Sequence, residues 1–143
     1  MEKIDYKFVE FLSKKVDVEE AIVRDYFETL DTPFDVAQQL IDEEGIDRKK
    51  LGEVWGSYYN IAYVDPSASI VKEEYVDMLG SQFIRENSCL PLFKFGKAVT
   101  VATSDPANPY LQDKLEKRLD AIVSFVFCFP FDIKTYMEQH GIK

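Results

Sequence analysis

Residues Leu90 to Ser104 read LPLFKFGKAVTVATS, and this stretch decides the fold. Two runs of β-branched and aromatic residues flank Phe95-Gly96-Lys97, which predicts two short strands. Gly96 supplies the positive φ that a tight turn between them often requires. Asp105 to Pro109, DPANP, ends the second strand, because proline brings no N–H to a ladder. Asn108-Pro109 then predicts a helix start, with Asn as N-cap and Pro in the first turn. Leu111, Leu115 and Leu119 follow at i, i+4 and i+8 on one face. The run IVSFVFCF, Ile122 to Phe129, is apolar but for one Ser. It reads as a strand covered on both faces and therefore central in its sheet. A last helix is predicted from Pro130 to about His140. The helical crossover makes the second and third strands parallel, with a right-handed connection.

Upstream, four helices are predicted. Ile4, Phe8, Phe11 and Leu12 form the apolar stripe of the first. Asp17 is read as the cap of the second, with Glu20 completing a capping box. Val23, Tyr26, Phe27 and Leu30 line that helix. Thr32-Pro33 starts the third, with Asp35 at its third position, and Gly45 ends it after Ala37, Leu40 and Ile41. Asp47 caps the fourth, which carries Leu51, Val54, Trp55 and Tyr58. Gly52 and Gly56 on that helix suit close packing. The segments FVEFLSKKVDVEEA and VAQQLIDEEGIDRKKL align once two residues are gapped. In that alignment Leu12 matches Leu40, Val16 matches Ile46, Asp17 matches Asp47 and Ala21 matches Leu51. Each copy is a helix hairpin that cannot bury its apolar face alone, so the two should pack together. Asn60 to Ser69 reads as an extended connector anchored by Ile61, Tyr63 and Val64. Val71 to Leu79 is a short helix, Gly80 breaks it, and SQFIRENS is another.

The expected fold is therefore α+β. A helical lobe of two hairpin units, residues 1–66 with the connector, precedes an α/β lobe at 67–143. That lobe holds a small three-stranded mixed sheet, a β-hairpin followed by a βαβ unit, flanked by helices.

The 143 residues carry a net charge of −9, with 46% hydrophobic and 14% aromatic residues, enough for a real core. Residues 1–66 hold 8 Lys+Arg against 16 Asp+Glu, a net of −8, so the charge is concentrated in the helical lobe. Such a chain repels phosphate backbones, which argues against nucleic acid; the acidic half reads as a surface for a basic protein partner or as a merely solvated face. No apolar run approaches the ~20 residues of a membrane helix, and MEKIDYK has no signal-peptide character. A cytoplasmic location without direct membrane insertion is expected.

No catalytic constellation is legible. Gly96-Lys97-Ala98 lacks the upstream glycine and the hydroxyl of a phosphate loop. His140 is the only histidine and has no second ligand type at metal spacing. Cys89 and Cys128 read as buried free thiols. Neither an enzymatic activity nor a cofactor or metal is expected. Acidic pairs such as Glu43-Glu44 read as solvated helix ends. Tyr58, Tyr59 and Tyr63 form the densest aromatic cluster, read as packing between the lobes or as a partner-binding patch. With Asp42, Glu43 and Glu44 they are the candidate partner-binding residues.

One resemblance joins these pieces. IVKEEYVDMLGSQFIRENSCLPLFKFGKAVTVATSDPANPYLQDKL resembles the N-terminal domain of type II secretion and type IV pilus assembly ATPases. Arg85, Leu90-Pro91-Leu92, Val99 to Ala102 and Asp105-Pro106 occupy the matching positions, and the likeness covers roughly residues 34–140. It implies a non-catalytic interaction module that docks to the cytoplasmic part of an inner-membrane platform protein, with an ATPase motor domain as a further partner. It also raises an alternative, because many members carry a cyclic di-GMP signature, R-L-G-x-x-L-x-x-x-G, in the helical lobe. Here Lys7 alone could replace the Arg of the first copy, and Val36 and Gln38 take the Arg and first Gly places of the second. Lysine lacks the planar fork that grips phosphate and stacks on guanine, so cyclic di-GMP binding is not expected.

Overall fold

The computed structural model describes residues 3–142 as two units that divide between Ile61 and Ala62. The first is all helical: α1 (Tyr6–Val16), α2 (Glu20–Thr29), α3 (Pro33–Glu44) and α4 (Arg48–Tyr58). Its core is Phe8, Val9, Leu12, Val23, Val36, Leu40, Leu51 and Trp55, all nearly inaccessible. The α3 start follows its sequence signals closely. Thr32 Oγ1 accepts from the Asp35 N–H at 3.2 Å, and Asp35 returns a bond to the Thr32 N–H at 3.1 Å. Gly45 closes α3 in the left-handed region. Asp47 accepts from the Lys50 N–H at 3.0 Å and so caps α4. Gly52 and Gly56 lie buried on that helix.

Asp17 does something other than expected. It ends α1 in the left-handed conformation (φ 58°, ψ 46°), and α2 begins after Glu19 with no side-chain cap. Asp tolerates this region better than most residues because its short side chain bonds locally. The two hairpins consequently match without a gap. Leu12 and Leu40, Asp17 and Gly45, Val23 and Leu51, and Phe27 and Trp55 all stand 28 positions apart. The pairing of Asp17 with Asp47 and of Ala21 with Leu51 is corrected by this register: Ala21 is exposed, whereas Leu51 is buried.

The second unit is α+β. A 3-10 turn (Pro66–Ala68) leads to α5 (Glu73–Leu79) and α6 (Ser81–Asn87), separated by Gly80 at φ 85°. Then come β1 (Cys89–Phe95), β2 (Ala98–Thr103), α7 (Pro109–Leu119), β3 (Ile122–Phe127) and α8 (Pro130–Gln139). β1 and β2 are antiparallel, and β2 and β3 are parallel. Gly96 makes the hairpin turn at φ 62°. The register slips between Pro91 and Phe93, leaving Leu92 as the extra residue of a bulge next to the strand's proline. Asn108 caps α7 by accepting from the Tyr110 and Leu111 N–H groups, and Leu111, Leu115 and Leu119 are buried as their spacing requires. They join Val76, Ile84, Leu90, Val99, Val101, Val123, Ile133 and Met137 in one core.

The sheet order is β1-β2-β3, so β2 is central and β3 lies at an edge, not in the middle. Nor is β3 covered on both faces: Val123 and Phe127 are buried, whereas Ile122 and Ser124 are exposed, and what closes its outer edge is hydrogen bonding. The Val64 N–H donates to the Phe127 carbonyl at 2.9 Å, and the Phe127 N–H donates to the Ala62 carbonyl at 2.7 Å. At the other end the Val123 N–H donates to Glu116 Oε2, and Gln112 Nε2 donates to the Val123 carbonyl. The edge is thus blunted by an isolated bridge from the connector and two α7 side chains. No helix among the described residues is long and apolar enough to cross a membrane.

Candidate functional site

The acidic residues singled out from the sequence close α3. Asp42 and Glu43 are exposed, and Asp42 accepts from Gln38 Nε2 at 3.0 Å. Glu44 is half-buried and accepts from the Tyr26 hydroxyl at 2.8 Å. That bond holds the Tyr26 phenol above its ordinary range, since ionising it would set two negative charges together. Three carboxylates on the last turn of a helix oppose its dipole, and no basic residue stands there to offset them. Their placement is electrostatically unfavourable with respect to the helix dipole, and the bonds from Gln38 and Tyr26 engage Asp42 and Glu44 within the unit.

The tyrosines divide between the units. Tyr58 sits in a ring cluster with Phe8 at 4.8 Å, Phe11 at 5.1 Å and Tyr59 at 5.1 Å. Its hydroxyl donates to Asp5 Oδ2 at 3.1 Å. Desolvation first, and that bond second, raise the Tyr58 phenol. Tyr59 is 56% exposed, with its ring 5.6 Å from Phe8. Tyr6, also exposed, donates to Glu28 at 3.2 Å. One face of the helical unit thus pairs tyrosine hydroxyls with carboxylates: Tyr58 with Asp5 and Tyr6 with Glu28. Asp5 and Tyr6 escaped sequence reasoning, although an Asp just before an apolar stripe signals a cap. Asp5 accepts from the Lys7 and Phe8 N–H groups.

Tyr63 belongs to the second unit. Its ring packs on Phe127 and Phe129 at 6.1 and 5.8 Å, and its hydroxyl donates to Asp132 Oδ2 at 2.9 Å. The positions read against the cyclic di-GMP signature are dispersed in character. Lys7 is exposed in the first turn of α1, but the 28-residue register sets buried Phe8, not Lys7, opposite Val36; Val36 and Ala37 are buried in the core, and Gln38 bonds Asp42.

Cys89 and Cys128 are buried free thiols. Burial pushes Cys89 up to about 12 and Cys128 well above its ordinary value, so both are poor nucleophiles at neutral pH. His140 follows α8 and stacks on Tyr136 at 4.1 Å. A groove of about 320 Å³ runs between α6 and α8, with buried Ile84, Ile133 and Met137 and exposed Arg85, Lys134 and Glu138 among its lining.

The comparisons with known proteins agree with this architecture. A family model described as MshEN domain matches residues 59–142. The structure of MshE with cdg is similar at a TM-score of 0.64 and 20% identity, over 92% of this chain and 96% of that one. Two structures of the N-terminal domain of XpsE are similar at TM-scores of 0.52 and 0.54, with 14% and 11% identity. They cover 96% and 97% of this chain and 98% of each of theirs. No curated protein matches by sequence.

Proposed function

This chain belongs to the MshEN domain family, and from that premise we propose that it is a non-catalytic interaction module of a type II secretion or type IV pilus system. It works on the cytoplasmic side, docking to the cytoplasmic part of an inner-membrane platform protein, with an ATPase motor as its associate. The observation that carries the reading is the concentration of charge: residues 1–66 hold −8 of the −9. Asp42, Glu43 and Glu44 crowd a helix end that disfavours them, which is how a surface kept for a basic partner is built. Tyr58 and Tyr59 supply the amphipathic rings that such interfaces favour. In solution, the platform protein's cytoplasmic domain is expected to bind with an association rate that falls as salt rises. Reversing Asp42 and Glu43 to Lys should weaken binding about tenfold without unfolding the domain, a change of ~1.4 kcal/mol. Binding indifferent to both salt and these reversals would sink the reading.

The likeness to MshE with cdg favours a second reading, a cyclic di-GMP-binding regulatory domain. Against it stand the buried Val36 and the bonded Gln38 at places where the signature puts Arg and Gly. Charge-assisted contacts to phosphate contribute about 1.5–3 kcal/mol each, and these side chains offer none. Calorimetry with cyclic di-GMP is expected to show no heat. Saturable micromolar binding, with no platform partner recovered, would reverse the ranking.

A further inference from the structure

The turn end of the sheet has a chemistry unlike the rest of the chain. β1 ends at Phe95, and the two-residue turn Gly96-Lys97 leads into Ala98. Phe95 pairs with Ala98, and Ala98 pairs with Ile122. Directly paired residues point to one face, so Phe95, Ala98 and Ile122 form a single row across three strands. Phe95 is 79% exposed and Ile122 59%. Lys94 and Lys97, on either side of Phe95-Gly96, are exposed. Because α7 runs back to the start of β3, its last turn brings Lys117 and Arg118 to this same end, both exposed. Arg118 spans toward the Phe83 ring at 4.4 Å. Along the turn and the last turn of α7 the acids are Asp120 and Glu116, and Glu116 is engaged with the Val123 N–H. These two segments carry four cations and two acids, a local excess of positive charge along them in a chain of −9.

We infer that this end is a membrane-surface contact: the Phe95 ring enters the headgroup layer of an anionic bilayer while Lys94 and Lys97 reach lipid phosphates. Bare phenyl on a two-residue turn is convex, so it offers no groove to a peptide. A fluid lipid layer needs no matching shape, and it accepts an aromatic ring at the acyl boundary with ammonium groups held at headgroup level. At ~0.15 M salt, charges beyond ~8 Å are screened, so the local excess acts and the whole-chain charge does not. The contact is interfacial, involves no spanning segment, and is independent of the platform-docking reading.

The full chain would be sedimented with vesicles of phosphatidylglycerol and phosphatidylcholine, and with phosphatidylcholine alone, at physiological salt. Binding is expected only to the first. Lys94→Gln and Lys97→Gln should each lower the partition about fivefold, from ~1 kcal/mol per cation near an anionic surface. Phe95→Ala should lower it roughly tenfold, with the urea midpoint unchanged because the side chain is exposed. In Phe95→Trp, brominated lipid should quench the new indole and leave Trp55, 3% exposed, untouched as internal control. Equal binding to phosphatidylcholine alone, lysine-dependent binding without quenching at Phe95→Trp, or no vesicle binding would each overturn the inference. Salt-dependent self-association lost in the same variants, with no vesicle binding, would instead assign the patch to the acidic helical unit of a second copy.

Discussion

Tyr63 and Asp132 are 69 residues apart and meet through one hydrogen bond of 2.9 Å. The same carboxylate oxygen accepts the Phe129 N–H at 2.9 Å, so one side chain closes the start of α8 and ties the connector to it. Asp132 is fully buried, which makes each donor matter: a buried acceptor that loses one costs about 1–3 kcal/mol. Tyr63→Phe keeps the ring against Phe127 and Phe129 and deletes only the donor. Its urea midpoint should fall by an amount equivalent to that range, with an unchanged denaturant slope. An unaltered midpoint would show that water replaces the hydroxyl. From the sequence Tyr63 reads as an anchor of the connector beside Ile61 and Val64, and as one of a cluster with Tyr58 and Tyr59, its neighbours along the chain. Its true partner waits 69 positions later at the third residue of a Pro-led helix, where nothing local pairs the two.

Capping chemistry was legible wherever signal and structure shared a few residues. Thr32-Pro33 with Asp35, Asp47, Asn108-Pro109, Gly45 and Gly96 all stand where local rules put them. Two readings failed, one on distant contacts and one on a local turn that the residue type alone does not specify. β3 is apolar like a central strand, yet its outer edge is closed by Ala62–Val64 and by Gln112 and Glu116. Asp17 has the residue type of an N-cap, but the tightness of the α1–α2 turn makes it a left-handed C-cap. The ungapped repeat exposes the difference, since Gly45 fills the equivalent place in the second hairpin. Asp17→Gly should therefore stabilise the helical unit by roughly 0.5 kcal/mol. That is the relief of a left-handed L-residue, partly offset by glycine's greater freedom in the unfolded chain. Thermal unfolding of the variant checks it, and a fall in midpoint would mean that the carboxylate makes a contact worth more than the strain.

The two units carry separate reporters, and this makes their cooperativity measurable. Trp55, the only tryptophan, is buried in the helical unit, while Cys89 and Cys128 are both buried in the α/β unit. The helical unit rests on four helices of 10–12 residues, lengths that are marginal without tertiary support. The α/β unit adds two ladders and one continuous core. Trp55 fluorescence is therefore expected to change at lower urea than thiol labelling with a disulfide reagent, and labelling should be negligible in the folded chain. Coincident transitions would instead mean a single cooperative molecule. The thiols also fix a pH dependence. Their ionisation is raised in the folded state, with Cys89 at about 12, against ~8.5 for an unfolded cysteine. Below the unfolded value both states hold the proton and the stability is complete. Above it the unfolded chain ionises first, so the folded state loses ground steadily as pH climbs toward the folded value. The urea midpoint of the α/β unit, followed by far-UV circular dichroism, should thus move to lower urea between pH 8 and 10, and Cys89→Ser with Cys128→Ala should flatten that part of the slope. Tyrosine ionisation adds to the decline only nearer pH 10, so a slope unchanged by the double substitution would assign the alkaline loss to the raised phenol of Tyr136 in the same unit instead.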